Sequence, residues 1–270
     1  MRNSLNKYEK RQQRGQISTD DIKQYNNLSI NRLLELLHSQ NAHERTIGAT
    51  IIGNRKLTEL TLPLCELLRT ETHLYARIAM SESLGKMGKS AVIPLISLLG
   101  KIGSNQETSL PLKYFNKKSY PLPRDLAART VTKLGTIAIP ELTKIIKGND
   151  GFDTQQAIDA LGSIVSRIND KSSLPVILNA LANYSANEIT TWKIVRALSG
   201  FKFIEAINPL LIILQNRSEA AIRWEAIRSI GQIGIASSII MEILNMHLND
   251  CNVEIRKASE IAIEQLIQKQ

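Results

Sequence analysis

Apolar residues recur at helical spacing along most of the chain, and the helical runs come in pairs. In the segment from Ala221 to Gly231, the apolar or small residues Ile222, Ala226, Ser229 and Ile230 share one helical face. The run that follows carries Ile239, Ile240, Ile243 and Leu244 at the same spacing. Neither helix of such a pair can cover its own apolar face. The pattern therefore predicts antiparallel two-helix units stacked side by side, each touching only its neighbours.

Polar and special residues punctuate these runs at fixed offsets. Arg45, Arg77 and Arg223 each stand eight residues before a glycine, Gly53, Gly85 and Gly231, which is expected to close its helix. The second run of most units opens with proline between apolar neighbours, at Pro63, Pro94, Pro140, Pro175 and Pro209. Proline suits the first turn of a helix, where its missing N–H has no partner to lose. Successive prolines lie 31, 46, 35 and 34 residues apart. One interval thus carries extra chain, which falls between Leu99 and Leu126 and reads as an insertion loop at about 101–123.

Units such as Tyr75 to Leu99, with Arg77, Gly85 and Pro94 in their places, resemble HEAT repeats of the short bacterial kind, the class also found in phycobilin lyases. The resemblance runs from about Leu33 to the C-terminus. The Thr-Pro-Leu-His signature of ankyrin repeats and the Trp, Leu-Gly, Tyr pattern of tetratricopeptide repeats are absent. The resemblance implies an all-α fold, a right-handed α-solenoid of about six or seven helix pairs spanning 29–270, preceded by a basic arm and leading helix over 1–28. It further implies that Arg45, Arg77, Arg223 and Arg256 are structural, each bonded to a polar residue at the turn of an adjoining unit in a ladder along the stack. Ala127, Thr154 and Thr191 take the matching places in the middle units, so the ladder is expected to be interrupted there. Arg256 begins a polar closing repeat of the kind solenoids need for solubility.

Composition fits such a stack: aromatic residues make up 4% of the chain, leaving aliphatic side chains to fill the layers. The two cysteines, Cys65 and Cys251, lie in different runs and form no paired framework, which points to a reducing cytoplasmic setting. The first fourteen residues lack the apolar core of a secretory signal, and no run reaches membrane-spanning length. The net charge of +9 is localised: residues 1–17 carry +4 and residues 101–133 carry +5, while the remainder sums to zero.

The insertion interleaves Lys113, Lys117, Lys118 and Arg124 with Tyr114, Phe115 and Tyr120. Cations beside aromatic rings suit a phosphate backbone or an unstacked base. The same composition serves an ordinary surface loop that buries its rings as anchors and leaves its lysines in water, and Pro111, Pro121 and Pro123 stiffen it. At the N-terminus, Ser18 and Ser29 supply helix caps for a leading helix that covers the first repeat. Trp192 and Trp224 stand 32 apart, at equivalent places on adjacent units. Exposed, they would anchor a partner; buried, they would fill gaps between helices.

No phosphate-binding glycine loop, dinucleotide fingerprint or nucleophile elbow occurs. His43-Glu44 is a single pair, whereas the helical-repeat deoxyhypusine hydroxylases hold their di-iron site with several. No cofactor, metal or catalytic residue is expected. The chain reads as a non-enzymatic scaffold for a protein or peptide partner. Nucleic-acid binding through the insertion and N-terminal arm is the alternative, and a bilin lyase-like activity rests on the repeat resemblance alone.

Overall fold

The computed structural model describes residues 7–112 and 119–269. These residues are helical with no strand among them, and they form a solenoid of seven helix pairs. A leading segment carries α1 (Lys7–Gln13) and α2 (Thr19–Lys23). The pairs then follow: α3 (Ile30–Leu37) with α4 (Ala42–Asn54), α5 (Thr61–Thr70) with α6 (Leu74–Lys86), α7 (Val92–Ile96) with α8 (Leu126–Val131), and α9 (Ile139–Ile146) with α10 (Phe152–Ile168). The last three are α11 (Leu174–Asn183) with α12 (Glu188–Leu198), α13 (Ile207–Asn216) with α14 (Ala220–Ile233), and α15 (Ser238–Met246) with α16 (Val253–Ile267).

Packing defines two layers. The even helices from α4 to α16 stack on one another, and the odd helices lie along their other side. The odd helices bear the prolines, always within their first three residues, and bury one stripe each; α13 buries Ile207, Leu210, Ile213 and Leu214 while Ile212 faces out. The even helices are covered far more completely. Every residue of α10 from Thr154 to Val165 is buried, and so is every residue of α12 from Thr190 to Leu198. Each side chain of this kind withdrawn fully from water contributes about 1.5–3 kcal/mol if aliphatic, so the central even helices carry the largest share of the core.

Two sequence expectations change in detail. The helix that packs beside each proline helix is the arginine helix after it, not the one before. Nor do Gly53 and Gly231 close their helices: α4 runs to Asn54 and α14 to Ile233. They sit where neighbouring even helices cross, and an added Cβ would come within 2.6 Å of Ser83 Cα or 2.9 Å of Ala262 Cα. Glycine is there for close approach.

At the front of the stack, Ser18 caps α2 with a reciprocal bond from Asp21, and Ser29 caps α3. The leading segment lies against α4: Gly15, at φ +90°, sits where a Cβ would meet the Ala42 carbonyl, and the Arg14 carbonyl accepts from Tyr75 N at 3.2 Å.

A strapped groove across the even helices

The extra chain leaves α7 near Gly100 and returns at α8, within the third pair. Asp125 closes its base. One carboxylate oxygen caps α8 by accepting from Ala128 N at 2.7 Å; the other accepts from Gly100 N at 3.2 Å and Gln106 Nε2 at 3.1 Å. Burial raises the Asp125 pKa, against the pull of these donors. From that base the described residues of the insertion, up to 112 and from 119, lie against the even helices as a strap.

The strap is anchored at Glu107. Arg196 of α12 grips it with two parallel bonds, Nη1 to Oε1 at 3.2 Å and Nη2 to Oε2 at 2.9 Å, and Lys193 Nζ lies 3.3 Å from Oε2. Below it, Asp159 of α10 accepts from Lys193 Nζ at 2.6 Å and from Arg196 Nη2 at 2.6 Å. Lys193 is wholly buried and Arg196 only 4% exposed, so these charges survive only as a closed set. Burial alone would raise the Glu107 carboxyl, but Arg196, Lys193 and Arg124 bring it down to about 2. Burial likewise opposes the charge on Arg196, yet Asp159 and Glu107 hold its pKa well above the ordinary value.

Of the residues singled out from the sequence, Lys113, Tyr114, Phe115, Lys117 and Lys118 lie outside the described residues. Tyr120 and Arg124 lie on the strap. The Tyr120 ring rests where α10 and α12 cross, so close that a Cβ on Gly162 would fall 2.2 Å from its hydroxyl and 2.9 Å from Ala197 Cα. That hydroxyl has no hydrogen-bond partner among the described residues, and burial, with Asp159 beside it, pushes its pKa up. Arg124 Nε lies 3.3 Å from Glu107 Oε1 and remains half exposed.

Trp192 and Trp224 are 2% and 6% exposed, so their rings belong to the packing; the Arg196 guanidinium stacks 4.4 Å above Trp192. Arg45 donates to both oxygens of Glu71, at 2.6 and 3.1 Å, and Arg223 pairs with Asp250. Arg256 donates to the Asp250 and Cys251 carbonyls at 2.7 and 3.2 Å. Arg77 makes no side-chain hydrogen bond or ion pair with any described residue.

Three clefts open beside the strap. The first, of 300 Å³, is walled by Leu74, Arg77, Ile78, Arg124, Arg129 and Lys133. The second, of 440 Å³, lies among Glu107, Leu122, Arg124, Arg129, Asp159 and Arg196. The third, also 440 Å³, lies among Tyr120, Leu122, Ser166, Arg167, Lys202 and Gln232. Arg124 and Arg129 border both the first and second, and Leu122 both the second and third. The three clefts thus follow one another beside the strap from α6 to the end of α14.

Sequence reasoning passed over Glu107, Asp159, Lys193 and Arg196. A signal existed: Asp159, Lys193 and Glu225 stand 34 and 32 residues apart, each a charge set inside an otherwise apolar helical stretch. Among the described residues no group of three or more His, Cys, Asp or Glu side chains is placed to hold a metal, and no helix is long and apolar enough to cross a membrane.

No family model and no curated protein sequence matches the chain. Solved structures do resemble it in outline. A designed armadillo repeat protein is 17% identical, with 88% of this chain and 100% of that one covered at a TM-score of 0.47. An engineered protein is 15% identical over 89% of this chain and 99% of its own, at 0.43. A designed armadillo repeat protein in complex with the peptide (KR)4 is 16% identical over 88% and 100%, at 0.41.

Proposed function

We propose that the chain is a non-enzymatic repeat scaffold that binds an extended segment of a partner protein along the even-helix face, with the strap setting which part of that face is open. The observation that carries this reading is the continuity of the groove: clefts that share Arg124, Arg129 and Leu122 follow one another across five successive even helices. A preformed surface of that length receives an extended chain without reordering itself, which spares the entropy that a flexible site would lose. Its walls mix exposed aliphatic side chains with serines and cations, a composition suited to a polypeptide. A single-stranded nucleic acid would call for rings to stack its bases. Among the described residues, Trp192 and Trp224 are buried, and Tyr120, on the wall of the third cleft, is held by its seat against Gly162.

The test is panning of a random phage-displayed peptide library against the full chain, followed by photo-crosslinking of the selected peptides. Crosslinks are expected at Arg129, Ser166 and Lys202. Crosslinks confined to the odd helices, or failure to select any peptide while single-stranded DNA binds, would refute the reading.

A further inference from the structure

Arg45 and Arg223 show what this repeat does with its arginine. Each sits near the start of an even helix and closes on a carboxylate in the turn that leads into the next even helix, Glu71 in one case and Asp250 in the other. Arg77 is the third of the set, but the turn ahead of α8 is where the insertion departs. Gly103, Ser104 and Asn105 border the arginine instead, with its Nη2 3.5 Å from the place a Gly103 Cβ would take. The insertion has removed the acid and kept the base.

A cleft opens beside that unpaired guanidinium. Its walls add Arg124, Arg129 and Lys133, and among the described residues no acidic side chain lines it. Arg124 is partly engaged by Glu107, and Arg129 donates to the Pro123 carbonyl at 3.0 Å, a neutral partner. Lys133, like Arg77, makes no side-chain bond to a described residue. Burial, Arg129 and Lys86 all depress the Lys133 pKa, with the exposed Glu82 acting against them. Cations crowded in this way are relieved by a bound anion. Leu74 and Ile78, 41% and 42% exposed, form an apolar shelf on the same wall.

We propose that this cleft is a docking site for an acidic segment of a partner protein that also carries aliphatic residues. One Asp or Glu side chain of that segment takes against Arg77 the place that Glu71 takes against Arg45, while an aliphatic neighbour covers Leu74 and Ile78. The inference rests on the polypeptide-binding reading and names the chemistry of one end of the same groove. The aliphatic shelf favours a peptide over a free phosphate, and among the described residues no aromatic side chain lines the cleft to stack a base.

The experiment uses the full chain and a fluorescein-labelled twelve-residue peptide of Glu-Glu-Leu repeats, followed by fluorescence anisotropy at low salt. Gln-Gln-Leu and Lys-Lys-Leu peptides and an oligothymidylate of equal charge run beside it. The acidic peptide is expected to bind, and Arg77→Gln with Lys133→Gln to weaken it by about tenfold or more, the scale of losing charge-assisted bonds. A thermal melt checks that the double variant is folded. The charge-reversed pair, Arg77→Glu with Lys133→Glu, is expected to lose the acidic peptide and gain the Lys-Lys-Leu one. Absence of acidic-peptide binding, equal binding by both forms, or oligothymidylate bound in its place and lost in the same variant would each overturn the proposal. If library-selected peptides still crosslink to the groove, only this inference falls; if they also fail, the polypeptide reading falls with it.

Discussion

Replacing Glu107 with glutamine tests the anchor of the strap and the pH dependence it imposes. Glutamine keeps the shape of the side chain and one acceptor oxygen but drops the charge, so it stands in for the protonated acid. The carboxyl is held from 4.5 down to about 2 by Arg196, Lys193 and Arg124 against the opposing effect of burial. A displacement of that size corresponds to about 3 kcal/mol of folding free energy at neutral pH. The same figure follows from the structure by another route: without Glu107, two buried cations share the single carboxylate of Asp159, and breaking buried ionic sets costs about 3–5 kcal/mol.

The sign of the pH effect is fixed by the direction of the displacement. A carboxylate whose folded pKa lies below its unfolded one stabilises fully above the unfolded value and loses that contribution as pH falls toward the folded one. Wild type is therefore expected to exceed Glu107→Gln by about 3 kcal/mol at pH 7, with the two converging as pH drops from about 4.5 to about 2. Urea denaturation at stepped pH values measures the difference. Hydrogen exchange over 104–112 and 119–124 shows whether the strap opens first. A gap below about 1 kcal/mol at pH 7, or one that stays constant down to pH 3, would refute the buried-anchor argument.

Gly162→Ala puts a methyl group against both the Tyr120 hydroxyl and the Ala197 backbone, and overpacking of that kind costs about 1–3 kcal/mol; faster exchange at 119–124 without loss of helical circular dichroism is expected, and an unchanged strap would show that it is not seated on α10. Arg223→Met removes the partner of the largely buried Asp250 and should lower the denaturation midpoint by the equivalent of about 1–3 kcal/mol. Arg77→Met, which breaks no bond to a described residue, should change stability by less than about 0.5 kcal/mol, and equal losses in the two variants would contradict the different environments of the two arginines.

The architecture was legible because it is written many times over. Apolar spacing, the arginine-to-glycine offset and the proline intervals each repeat, so a misreading in one unit is corrected by the next, and the 46-residue interval places the insertion within the third pair. The meaning of Gly53 and Gly231 was less accessible, since a glycine that ends a helix and one that lets two helices touch look alike in a single strand of text. The groove was largely illegible for a related reason. Glu107 lies 89 residues from Arg196, and no periodicity relates the two. The lysines and rings of the insertion are conspicuous by composition, whereas its seating on α10 and α12 is done by Glu107 and Tyr120. Burial of Trp192 and Trp224 follows from their position in fully covered even helices, a fact that depends on the strap and the neighbouring units together.

The bond between Glu107 and Arg196 also changes how the molecule comes apart and together. In a linear stack each unit senses only its neighbours, so unfolding can creep inward from either end one unit at a time. The strap joins the third pair directly to the fifth, passing over the fourth, through Glu107 to α12 and Tyr120 to the crossing of α10 and α12. Residues from about 92 to 198 are thereby bound into a single cooperative block, while the first two and last two pairs keep the nearest-neighbour behaviour of a solenoid and fray independently. Closing that block requires a long-range contact whose chain entropy must be spent before any stabilisation returns, which makes seating of the strap a late and slow event against the rapid local pairing of the helices.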